Sequence, residues 1–78
     1  METKPLAIII EDNVDQNLIF TTALDQAGYE TESIQDGLVA QQRLTEVVPK
    51  TIVLDLHIPG VEGMSLLSQI RNDQRLTS

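Results

Sequence analysis

Glu11 and Asp12 close one aliphatic run, Leu6–Ile10, and Asp55 interrupts another, Thr51–Leu56. An ionised carboxylate inside a segment meant for burial costs on the order of several kcal/mol unless something answers its charge. Carboxylates packed together also repel one another. A hard divalent cation such as Mg²⁺ favours carboxylate oxygens and binds alongside phosphate groups, so these residue types predict a Mg²⁺ site. An aspartate there can act as a nucleophile and form an acyl phosphate, and Asp55 is the candidate. Glu11 and Asp12 alone would also suit a helix N-terminus, as a cap and a partner for the helix dipole. Asp55 has no such simple use. His57, two residues further on in a loop, is expected to offer its backbone carbonyl rather than its imidazole ring.

The elements that must position these groups are legible from periodicity. Leu6–Ile10 is continuous and rich in β-branched residues, which predicts a strand buried on both faces. Residues 15–27 carry Leu18, Ile19, Phe20, Ala23, Leu24 and Ala27 at near-helical spacing, with Asp15 as N-cap and Gly28 as the stop. Tyr29–Ile34 alternates weakly, as a strand near a sheet edge does, and Asp36-Gly37 marks a turn. A second helix is expected over Leu38–Val48, ended by Pro49, with Leu38, Ala40, Leu44, Val47 and Val48 on or near its inner side. Thr51–Leu56 reads as a second fully buried strand, followed by a loop over His57–Gly63 with Pro59 and Gly60 as turn residues. A third helix, Met64–Arg71, turns Leu66, Leu67 and Ile70 inward.

The order βαβαβα with short connections requires parallel strands, and right-handed crossovers put helices on both faces. This is a doubly wound α/β sheet. Its ligand site lies outside the carboxyl ends of the strands, where the winding reverses. If the third strand lies beside the first, the reversal falls between them, and Glu11, Asp12 and Asp55 converge.

The remaining composition excludes several classes. The 78 residues allow one domain, 1–78, and a chain of that size buries only roughly 60% of its unfolded surface. There is no cysteine for a disulfide or a thiolate metal site. A net charge of −7 argues against direct nucleic-acid binding by this segment. The apolar runs fall far short of the roughly 20 residues of a membrane span, and Met1–Pro5 does not read as a signal peptide. A cytoplasmic protein is expected.

The chain resembles the receiver domain of two-component response regulators and hybrid histidine kinases. The resemblance rests on Ile8-Ile9-Ile10-Glu11-Asp12-Asn13, Asn17, the exit Ala27-Gly28-Tyr29-Glu30, and Asp36-Gly37 followed by Ala40. It continues through Ile52-Val53-Leu54-Asp55-Leu56-His57-Ile58-Pro59 and closes at Gly63. It implies a flavodoxin-like sheet of order 2-1-3 and phosphorylation of Asp55 by a histidine kinase or phosphotransfer protein. It also implies Mg²⁺ held directly by Asp12 and Asp55, through water by Glu11, and by the main-chain carbonyl of His57. Such a domain accepts phosphate and is not in itself an enzyme beyond self-catalysed phosphotransfer. The family often has Met where Ile58 stands, a swap that keeps the volume.

Family domains have five strands and five helices, and this sequence reaches Arg75-Leu76-Thr77-Ser78 where a fourth strand is expected. The family's switch Ser/Thr and its clamping Lys belong to later strands, so phosphorylation is expected to be impaired in this span. The third strand then becomes a hydrophobic edge, which predicts either homo-oligomerisation through it or that this segment belongs to a longer parent chain. Two other functions compete. A receiver-like half fold could be a non-catalytic dimerisation or docking module, with the acidic pocket as a remnant. A metal-dependent phosphohydrolase also uses a strand-end Asp, but it wants a second Asp two residues on, where this chain has His57.

Overall fold

A computed structural model of the chain describes residues 3–77. Part of the Met1–Pro5 reading, and Ser78, lie outside the described residues. Three parallel strands form one sheet in the order β2-β1-β3, with β1 spanning Leu6–Ile10, β2 Glu30–Ile34 and β3 Thr51–Leu54. The helices are α1 (Val14–Gln26), α2 (Gly37–Arg43), α3 (Gly63–Asn72) and a final turn, α4 (Gln74–Thr77). The doubly wound architecture and the 2-1-3 order agree with the sequence reading.

The sheet is built around β1. Ile8, Ile9 and Ile10 have no exposed surface, as a central strand between two helical layers requires. Ile8 and Ile10 face α2 and α3 and form the main core with Ile34, Ala40, Leu44, Ile58 and Leu66. Fully burying a Leu or Ile side chain stabilises by about 1.5–3 kcal/mol, so Leu44 and Leu66 anchor α2 and α3 to this face. On the other face α1 packs over β1 and β2, tied by Asn17, whose Oδ1 accepts from the Ser33 hydroxyl at 2.6 Å.

The helix ends have identifiable causes. Asn13, not Asp15, caps α1: its Oδ1 accepts from the Gln16 amide at 3.0 Å, and Asp15 lies in the first turn, where it favours the dipole. At the other end Gly28 takes φ +96, as expected. The Tyr29 amide then donates to the Leu24 carbonyl and the Gly28 amide to that of Asp25, closing the helix. Helix α2 is shorter than the expected Leu38–Val48. It stops at Arg43, is followed by a turn, and Pro49 disfavours helical geometry at Val48. Its inner stripe is Ala40 and Leu44, with Val47 half-buried; Leu38 and Val48 face solvent, contrary to expectation.

Two further differences matter for the site. The third strand is half-buried throughout and ends at Leu54, rather than running fully buried to Leu56. It is an edge, and α1 lies over β1 and β2 rather than over it. For the same reason Val14, Leu18 and Ile19 on α1 are each more than 60% exposed. After α3 the chain makes the turn α4, where Arg75 donates to the Leu44 carbonyl at 3.0 Å and pairs with Asp73 at 2.6 Å. That turn binds the chain end to the exit of α2.

Candidate metal centre

Parallel pairing places the acidic residues. The β1–β3 register runs Ala7 with Thr51 to Ile10 with Leu54, so the next rung sets Glu11 beside Asp55. Neighbouring strands lie roughly 4.8 Å apart, which brings the two side chains on that rung within reach of each other. The Asp55 amide still donates to the Ile10 carbonyl at 2.9 Å, and the Glu11 amide to Ile34 at 3.0 Å. Both residues therefore begin their loops from a fixed sheet. Asp12 follows at once, and one carboxylate oxygen from each of Glu11, Asp12 and Asp55 lies within 4.8 Å of the others. The three candidates converge.

Their surroundings differ. Glu11 is 6% exposed, Asp55 is half-buried and Asp12 is exposed. The Asn13 amide donates to Glu11 Oε2 at 3.1 Å, and Asn17 Nδ2 donates to the Glu11 carbonyl at 2.9 Å. The Asn13 bond favours the charged form of Glu11. Burial and the facing carboxylates of Asp55 and Asp12 outweigh it, and the Glu11 pKa is raised. Asp55 moves the other way, lowered chiefly because the His57 amide donates to its Oδ1 at 2.9 Å, against the opposing effect of burial. Of the two facing carboxylates, Asp55 is the one whose charge the backbone supports.

The geometry fits a small hard cation. Octahedral Mg²⁺ at about 2.0–2.1 Å from its ligands spans oxygens up to about 4.2 Å apart, so the 4.8 Å limit needs only modest side-chain rotation. The ion pairs of the described residues involve Arg43 and Arg75, away from this site. His57 lies in an exposed turn, and its amide supports Asp55.

Two contributors went unassigned in the sequence reading. Asn13 both caps α1 and steadies Glu11, and its signal was present as Asn13-Val14-Asp15-Gln16, the spacing of a capping box. Asn17 is 3% exposed and bonds both the end of β1 and Ser33 of β2. A polar residue on a helix gives no sequence signal that it will face inward.

A doubly wound sheet with an acidic cluster at the carboxyl ends of two adjacent parallel strands is the arrangement of a receiver-type signalling domain. The chain belongs to the response regulator receiver domain family, whose model matches residues 7–78. It is 31% identical over 71 residues to the DNA-binding dual master transcriptional regulator RpaA of Synechocystis, covering 91% of this chain and 30% of that protein. It is 30% identical over 69 residues to the polar-differentiation response regulator DivK of Brucella ovis, covering 88% of this chain and 56% of that one. The fold superposes on a signal receiver domain from Vibrio parahaemolyticus with a TM-score of 0.82 at 24% identity, over 95% of this chain and 58% of that chain. The chain thus spans less than two thirds of each of these proteins. Among the described residues no helix is long and apolar enough to cross a membrane.

Proposed function

We propose that this chain is the phospho-accepting part of a two-component phosphorelay, with Asp55 taking a phosphoryl group from the phosphohistidine of a histidine kinase or phosphotransfer protein. The observation that carries this is the convergence of Glu11, Asp12 and Asp55 at the reversal point of the sheet, with Asp55 held charged by the His57 amide. That amide fixes Oδ1 and leaves Oδ2 as the attacking oxygen. In the transfer the new bond joins Asp55 Oδ2 to phosphorus, the phosphorus–nitrogen bond breaks, and the donor imidazole leaves neutral with its proton on the other nitrogen. Asp12, Asp55 and the His57 carbonyl would hold Mg²⁺, with Glu11 acting through water. The ion would supply positive charge to the phosphoryl oxygens. Titration with beryllofluoride and Mg²⁺ tests the reading: amide signals of residues 11–13 and 55–58 shift, and an unresponsive spectrum counts against it.

We further propose that the free edge of β3 pairs with a second copy. Thr51, Ile52, Val53 and Leu54 present an uncharged edge between Lys50 and Asp55, and such edges template strand addition.

A further inference from the structure

The loop that follows β3 is an arch pinned at its foot and at its crown. At the foot, Gly63 lies so close to Leu56 that a Cβ there would overlap the Leu56 Cα and carbonyl. At the crown the Gly37 amide donates to the Pro59 carbonyl at 2.6 Å. A Cβ on Gly37 would lie 2.5 Å from Val61 Cγ2, 2.9 Å from the Val61 nitrogen and 3.0 Å from the Pro59 oxygen. Gly60 takes φ +100 beneath Asp36, where a Cβ would come within 3.0 and 3.1 Å of the two carboxylate oxygens. The same Asp36 carboxylate caps α2, accepting from the amides of Leu38 at 2.8 Å and Val39 at 3.2 Å. Between the two pins Ile58 is buried in the main core.

The crown contact is backbone against backbone, across a gap that only a residue without a side chain permits. It joins the first turn of α2 to the segment that carries the His57 carbonyl. A main-chain ligand is placed by whatever holds the chain on either side of it. Its own side chain cannot adjust it. On one side of His57 stands Asp55, fixed by the sheet; on the other stand Ile58 and the crown.

We propose that Asp36 and Gly37 are positioning residues for the strand-end site: through Pro59 and Gly60 they set the arch, and with it the carbonyl of His57. This rests on the metal reading given above, and it assigns the start of α2 a part in a site from which it is separated by the whole crown. Neither residue hydrogen-bonds to Glu11, Asp12 or Asp55 among the described residues, so any effect on the site passes through the arch.

The test compares Gly37→Ala and Gly60→Ala, which press on the crown from its two sides, with Gln42→Gly, which loosens α2 at an exposed position near its far end. Mg²⁺ alone is titrated against the full chain and followed by amide spectra. Both crown variants are expected to bind Mg²⁺ about tenfold more weakly or worse, the scale of losing an outer support to a metal ligand, and Gln42→Gly is expected to stay near the wild type. Without any metal, the His57 and Ile58 amide signals should move in the crown variants and hold still in Gln42→Gly. Unmoved amides at 57 and 58 in both crown variants overturn the proposal, as does an Mg²⁺ affinity within about twofold of wild type. A wild type that ignores Mg²⁺ removes the metal reading, and the metal-free amide shifts then decide whether the crown sets the arch.

Discussion

Glu11 and Asp55 stand side by side, one rung beyond the last paired residues of β1 and β3, and their carboxylates answer the same crowding in opposite directions. Glu11 is raised because it is buried against Asp55 and Asp12 in spite of the Asn13 amide; Asp55 is lowered by the His57 amide. Replacing Asp55 with Asn removes the charge facing Glu11. The Glu11 pKa should therefore fall toward the ordinary glutamate value, as followed by carboxyl carbon shifts in an NMR pH titration. A Glu11 titration unchanged in Asp55→Asn would mean that the two side chains do not share the pocket. The same variant should lose acceptance of phosphate from acetyl phosphate or a phosphorylated donor.

The opposed shifts set a pH profile. Asp55 is lowered, so its contribution to stability is present above its ordinary value of 3.8 and is lost as the pH falls through its folded value. Glu11 is raised, so the folded state holds its proton more tightly, and stability declines as the pH rises past its ordinary value of 4.5. On these two groups alone, the metal-free chain is most stable in mild acid. Bound Mg²⁺ requires deprotonated ligands, so it should stabilise less at pH 5 than at pH 7.5, where a hundredfold excess over Kd contributes about 2.7 kcal/mol. Thermal unfolding by circular dichroism with and without Mg²⁺ at the two pH values measures this. Equal stabilisation at both would argue that the ion binds elsewhere.

Asn17 offers a sharper structural test. It is buried and joins the carbonyl of Glu11 to the Ser33 hydroxyl across the α1 face of the sheet. Asn17→Ala strands the carbonyl of buried Glu11, a loss of about 1–3 kcal/mol for an unsatisfied buried group, while the hydroxyl of exposed Ser33 can turn to water. The adjacent Leu18→Ala, on an exposed residue, should cost less than about 0.5 kcal/mol. Urea denaturation midpoints of the two variants should therefore separate clearly, although hydrophobicity alone would rank them the other way.

That inversion marks where sequence reading runs short. The strands and their parallel direction follow from apolar runs that end in charge and alternate with helical periods. The 2-1-3 order, which makes Glu11, Asp12 and Asp55 converge, comes from the family resemblance and not from periodicity. The partners of those runs are set by tertiary contacts with no local signal. Asn17 faces inward because Ser33 and the end of β1 receive it, and Leu38 faces outward because the stripe of α2 runs through Ala40 and Leu44. Asp36-Gly37 was legible only as a turn. Its grip on Pro59 and Gly60 depends on a loop more than twenty residues away. The full burial expected of Thr51–Leu56 failed because an aliphatic run reports the propensity to be covered and says nothing of whether a neighbour is present to cover it.

The uncovered edge of β3 is the surface on which the proposed pairing of two copies would be built. Edge pairing of two copies with antiparallel β3 strands about a two-fold axis normal to the sheet must set a residue opposite itself, because only then do facing side chains share a side. Centring on Val53 or Ile52 keeps every directly opposed pair within residues 51–54 uncharged. The chain's net charge of −7 opposes association at long range, so the dimer should tighten as salt rises and screens that repulsion. Sedimentation at tens of micromolar in 50 mM and 500 mM salt should show a larger dimer fraction at the higher salt. Val53→Lys puts like charges in the middle of the paired edges and should leave the chain folded and monomeric in both. A wild type that sediments as a monomer throughout would rule out the pairing, and a dimer that survives Val53→Lys would move the contact to another surface, with exposed Val14, Leu18 and Ile19 of α1 the next to test.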